Sequence, residues 1–152
     1  MRFAFKVDAE GHVAEARTAS STIGHRALEQ CLIATVASTQ FPKPAGRAQA
    51  EFAWGLSVEP ATARTFEAGS PKLMTALVRK QARELYQSCE LRRRRARFKI
   101  TAYIAAGGRV LSAGAVPLRD ATQDQVDCVL DEFATWHMPK VKKATKVSFD
   151  LR

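Results

Sequence analysis

Three cysteines, three histidines and a row of aspartates are the residues in this 152-residue chain best suited to chemistry. Cys31, Cys89 and Cys128 are candidates for a buried thiol, a disulfide or a metal ligand, but no CxxC pair and no close Cys/His spacing supports metal. On a helical wheel Cys128 points away from the stripe Val126, Val129, Leu130 and Phe133, so it faces a second neighbour. Cys89 lies on another stripe with Val78, Ala82, Leu85 and Tyr86. Asp120, Asp124, Asp127 and Asp131 form an acidic face beside Cys128. A basic helix docked there would bring the two sulfurs together and offset the charge. Two readings stand level: three buried thiols acting as small apolar residues, or a Cys89–Cys128 disulfide with Cys31 unpaired in this chain.

Catalytic groupings are missing from the sequence. His12, His25 and His137 lie in no shared pattern, and no GxSxG, HExxH, P-loop or dinucleotide fingerprint is present. The aspartates sit at helical spacing, where they suit solvent or a basic partner better than acid–base work. The expectation is a noncatalytic protein that needs no cofactor and no metal.

A different chemistry is offered by Arg92-Arg93-Arg94-Arg95, followed by Arg97 and Lys99. Cations favour the end of a helix through its dipole, which explains part of the run but not four consecutive arginines. Together with Lys140, Lys142, Lys143 and Lys146, these residues are a candidate anionic-polymer site for nucleic acid, acidic polysaccharide or lipid headgroups, with a solvated or intramolecularly neutralised surface as the favoured alternative. Nucleic acid is disfavoured, since Phe66, Tyr86, Phe98 and Tyr103 are few among the arginines and form no base-stacking string.

The charge also divides the chain. Lys and Arg total 24 against 15 Asp and Glu, a formal net charge of +9, and residues 1–59 are balanced, so the whole excess follows Pro60. Residues 60–71 hold two prolines and a glycine without a hydrophobic period, which marks a linker between a first unit at 1–59 and a second at 72–152. The longest uncharged apolar run, Cys31 to Ala37, is too short to span a bilayer. Lys6, Asp8 and Glu10 also break any secretory h-region.

Aligned with itself at a shift of 97 residues, the chain runs without a gap from Phe3/Ile100 to Trp54/Leu151. Gly11/Gly108, Cys31/Cys128, Pro42/Pro139 and Phe52/Phe149 coincide. In each half alternating apolar residues lead to a glycine turn and a second strand at about 13–19 or 110–116. A helical stripe follows, Leu28, Leu32, Ile33 and Val36 in one half and Val126 to Phe133 in the other, and then a last strand. The expected class is α+β: two ββαβ units with antiparallel three-stranded sheets. An extra helix over 72–94 should precede the second, opened by Ser70-Pro71.

The string Phe3-Ala4-Phe5-Lys6-Val7-Asp8-Ala9-Glu10-Gly11-His12-Val13, then Ser20-Ser21-Thr22, Leu28-Glu29-Gln30-Cys31 and Phe41-Pro42-Lys43-Pro44, resembles the TonB C-terminal superfamily. It is most similar to the AgmX/PglI C-terminal domains of myxobacterial envelope and gliding-motility proteins. In that family a cysteine-bearing helix precedes the first strand and a second cysteine lies on the later helix. Cys89, Gly108 and Cys128 match in the second half, while Met138-Pro139-Lys140-Val141 is a degraded form of the last motif. The resemblance implies a noncatalytic periplasmic module that engages another cell-envelope protein, with membrane attachment only through a segment outside this chain. The first half lacks the leading helix, so the sequence is expected to be a fragment of a longer protein. The alternative is a cytoplasmic anionic-polymer binder that uses Arg92–Arg95; the two differ in compartment and in cysteine oxidation.

Overall fold

The computed structural model describes residues 1–45, 50–56, 67–68, 71–91, 96–119 and 121–151, with the backbone alone at 50–52, 67–68 and 71–78. It is a mixed α+β chain that divides into two units, Met1–Ser21 with Ala27–Pro60, and Thr22–Arg26 with Ala61–Arg152.

In the first unit β1 (Arg2–Val7) and β2 (Val13–Ser20) form a hairpin, α1 (Arg26–Ala37) follows, and β3 (Ala50–Gly55) returns along β1. The sheet is antiparallel, in the order β2-β1-β3. Alternation along β1 buries Phe3, Phe5 and Val7 on one face, where Val36 of α1 closes a small core with Leu32, Ile33 and Phe41 packed against it. Leu28, expected on this stripe, is 42% exposed. The buried first-turn position belongs instead to Glu29, whose carboxylate accepts a hydrogen bond from the Ser21 hydroxyl at 2.5 Å.

In the second unit β4 (Glu67–Ala68) is followed by α2 (Pro71–Ser88), β5 (Arg97–Ile104), β6 (Val110–Arg119), α3 (Gln123–Ala134) and β7 (Thr145–Leu151). The strand order is β4-β7-β5-β6: an antiparallel set of three, extended by two residues of parallel β4. The expected linker therefore contributes a short strand. Phe98, Ile100, Ala102 and Ile104 face Val126, Val129, Leu130 and Phe133 in a core joined by Ala82, Leu85 and Cys89 of the α2 segment. Thr122 caps α3 reciprocally with Gln125, which satisfies two of the amides that open the helix. Helix α2 starts at Pro71 but ends at Ser88, six residues short of the expected end. Glu90 then takes φ 52, a left-handed turn that an α-helix cannot continue through.

One backbone device occurs in both units. Gly11 and Gly108 close their hairpin turns at φ 92 and φ 87, and their carbonyls accept hydrogen bonds from the amides of Phe41 and Met138 at 2.9 and 2.8 Å. Each bond ties the hairpin tip to the chain leaving the helix. The approach is so close that an added Cβ would lie 2.2 Å from the Phe41 carbonyl oxygen, or 2.1 Å from that of Met138. Only glycine meets both demands.

The 97-residue correspondence holds through hairpin and helix but slips in the last strand. Phe3 pairs with Thr18 and Ile100 with Ala115, both pairs placed as the shift requires; Phe3 pairs with Trp54, whereas Ile100 pairs with Phe149 rather than Leu151. The connection from helix to last strand is two residues shorter in the second unit, since helices end at 37 and 134 while strands begin at 50 and 145. A slip of two keeps every side chain on its face, so the core pattern survives it.

Adjacent glycines supply the test. Gly108→Ala should destabilise the second unit by about 2 kcal/mol or more through backbone strain and the Met138 clash. Gly107→Ala should be near neutral, because a Cβ there meets nothing within 4 Å. The urea midpoint reported by Trp136 in a Trp54→Phe background measures both; equal midpoints would contradict the clamp.

Candidate functional site

Within the second unit the end of α2 and the start of α3 meet at a covalent bond. Cys89 and Cys128 form a disulfide with their alpha carbons 5.7 Å apart, inside the range a bridge requires. Cys89 directly follows α2, its amide donating to the Leu85 carbonyl, and is buried; Cys128 is partly buried against the same core. An open groove of about 450 Å³ runs over the bond, lined by Ser88, Glu90, Thr122, Asp124 and Gln125 besides the cysteines. Cys31 is a free, exposed thiol, not a buried one.

The charge argument that led to this pairing needs correction. Among the described residues, the ion pairs shown on the aspartate face come from Arg26 rather than from α2. Arg26, of the segment Thr22–Arg26 that belongs to this unit, reaches Asp127 at 2.8 Å and Asp131 at 2.5 Å. Asp124 lines the groove, and Asp120 is outside the described residues. Cys128 faces a neighbouring helix because the sheet-facing side of α3 is occupied by Val126, Val129, Leu130 and Phe133, and that argument holds without the charges. Nothing local in the sequence marks Arg26, since its partners are more than a hundred positions away.

Of the expected basic site, Arg92, Arg93, Arg94 and Arg95 lie outside the described residues. Arg97 and Lys99 are exposed on β5. Arg97 acts on Tyr86: burial raises the Tyr86 phenol above its usual range and the Arg97 charge opposes the rise. The Tyr86 hydroxyl donates to the Ala96 carbonyl at 3.2 Å. Lys146 lies 5.3 Å from the centre of the Tyr103 ring, a cation–π contact.

Among the described residues no three His, Cys, Asp or Glu side chains gather as metal ligands. His12 approaches Asp8 at 3.6 Å in the first hairpin. His137 forms an isolated β-bridge with Arg109. The Asp8 carboxylate accepts the amides of His12 and Glu10 at 2.8 and 3.0 Å, and these, the His12 amide foremost, hold it below the ordinary aspartate range. Ala105 stands 97 residues on and has no such acceptor, so this turn lock belongs to the first hairpin alone.

No family model, curated protein or solved structure matches this chain.

Two measurements bear on the site. Alkylation of the oxidised chain without reductant should label one cysteine, and Cys128→Ser should cost the second unit ~2–4 kcal/mol while Cys31→Ser costs little. Three labelled cysteines would refute the bond. Separately, Asp8 is depressed in the folded hairpin, so the stability it adds is present above the unfolded aspartate value of 3.8 and is lost as pH falls through the lower folded value. The His12 amide resonance should titrate with a midpoint below 3.8, and a midpoint above it would contradict the lock.

Proposed function

We propose that the chain is a noncatalytic periplasmic binding or coupling module of the TonB C-terminal type, built from two ββαβ copies, that engages another cell-envelope protein. The matching hairpin registers and the repeated glycine clamp support common descent of the copies. A disulfide is compatible with an oxidising compartment, and no helix of the described residues is long and apolar enough to cross a membrane.

The observation that carries the binding reading is the sheet edge at β3, which no strand of the described residues occupies. In the second unit β4 lies beside the last strand; in the first, no strand lies beside β3 among the described residues. Such an edge offers backbone donors and acceptors to an extended segment of a partner, and Trp54, 55% exposed on this strand, offers a large apolar contact beside it.

Fractionation of the native cells after blocking thiols in situ tests the compartment. The chain should leave with the periplasmic contents, one cysteine blocked, and a photo-crosslinker at position 54 should join it to an envelope protein. Recovery in the cytosol with all three cysteines blocked, together with salt-sensitive DNA or heparin binding lost on replacing Arg92–Arg95, would establish the anionic-polymer alternative instead.

A further inference from the structure

The two sulfurs of the second unit's disulfide differ in their surroundings. Cys89 is buried, and Leu85 and Leu91 on either side of it are 1% and 0% exposed. Cys128 is only partly buried and lines the open groove of about 450 Å³ that runs over the bond. Thr122 and Gln125 form part of the same groove, and the reciprocal cap of α3 joins them at 3.1 and 3.3 Å, so this wall is fixed. On the other side the Ser88 hydroxyl lies 3.2 Å from the Leu85 carbonyl and 3.8 Å from the Cys89 sulfur. A hydroxyl hydrogen rotates to suit its acceptors, and a thiolate draws it more strongly than a carbonyl or a disulfide sulfur does. Ser88 therefore has a donor in place for Cys89 should that sulfur become the leaving group.

We infer that Cys89–Cys128 is a thiol–disulfide exchange site, opened at Cys128 by an external dithiol and closed again without unfolding, with Ser88 as a positioning residue for the leaving sulfur. In the first step a thiolate of the dithiol attacks Cys128 Sγ through the groove. A mixed disulfide forms, the Cys89–Cys128 bond breaks, and its electron pair passes to Cys89 Sγ. In the second step the dithiol's other sulfur attacks its own partner in the mixed disulfide, which frees Cys128 and leaves the dithiol as a disulfide. The cysteine pair gains the two electrons and two protons that the dithiol loses. Closure requires the two thiols to remain neighbours. Leu85 and Leu91 anchor the chain around Cys89, and Val126, Val129 and Leu130 anchor it around Cys128, so the packed core holds both after the covalent link is gone. The assignment does not depend on the protein-binding role of β3.

The full chain carrying Cys31→Ser and Trp54→Phe has one cysteine pair and one reporting indole, the buried Trp136. Its reduction by dithiothreitol without denaturant should accelerate in proportion to reductant and not level off at the unfolding rate. Trp136 emission should keep its folded value in the reduced chain, and oxidised dithiothreitol should restore the bond. Mercaptoethanol, quenched with N-ethylmaleimide, should leave its adduct on Cys128 and the maleimide on Cys89. Ser88→Ala should slow reduction by about two- to tenfold, the rate equivalent of one hydrogen bond. Reduction that levels off at the unfolding rate, unfolding on reduction, an adduct chiefly on Cys89, or an unchanged rate in Ser88→Ala would each overturn the inference.

Discussion

The hydrogen bond that a hairpin glycine carbonyl accepts from an amide of the chain beyond the helix is the constraint on which each unit rests. A two-stranded hairpin is marginal by itself, and a helix of twelve residues has little stability in water alone. Joining them at the tip converts the connection after the helix from a free loop into a fixed return path. It sets where Phe41 or Met138 enters the core, and with that the direction in which the last strand comes back. The contact admits no Cβ on the glycine, so the chain is committed to glycine at 11 and 108. Polar residues around the tip then remain free to differ, acidic in the first unit and basic in the second.

The second unit adds a covalent constraint to this backbone one. Its core is the larger, because the α2 segment brings Ala82, Leu85 and Cys89 to the sheet and helix that the first unit also possesses. The disulfide holds that addition at one point, where α2 stops and the chain turns through Glu90. In the first unit the residue corresponding to Cys128 is an exposed thiol. The same fold element thus carries a disulfide in one unit and a free thiol at the matching position in the other.

Much of this was legible in the sequence because it depends on local period and on residues with special backbone roles. Alternation at Phe3–Val7 and Ile100–Ile104 identified the central strands, the glycines identified the turns, and the stripe Val126, Val129, Leu130, Phe133 identified the sheet-facing side of α3. That last assignment made a Cys89–Cys128 pair one of two level readings, and the disulfide decides between them. What failed depended on long-range geometry. The two-residue slip of the last strand leaves the apolar pattern unchanged, so an alignment cannot detect it. Arg26 pairs with Asp127 and Asp131 without any sequence signal, and α2 ended early because Glu90 adopts a conformation that its residue type does not announce. Leu28 and Glu29 exchanged their expected environments because the Ser21 hydroxyl provides a buried partner for a carboxylate.

The dependence of both units on the clamp is tested most directly by native-state hydrogen exchange at the amides of Phe41 and Met138. Both lie in connections after a helix, where loop amides ordinarily exchange by small local openings. If the clamp supports the fold, each should exchange only at the rate of its own unit's strands β1 or β5, with the free energy of that unit's unfolding. Exchange of either amide at the rate of an open loop, while those strands stay protected, would contradict the account.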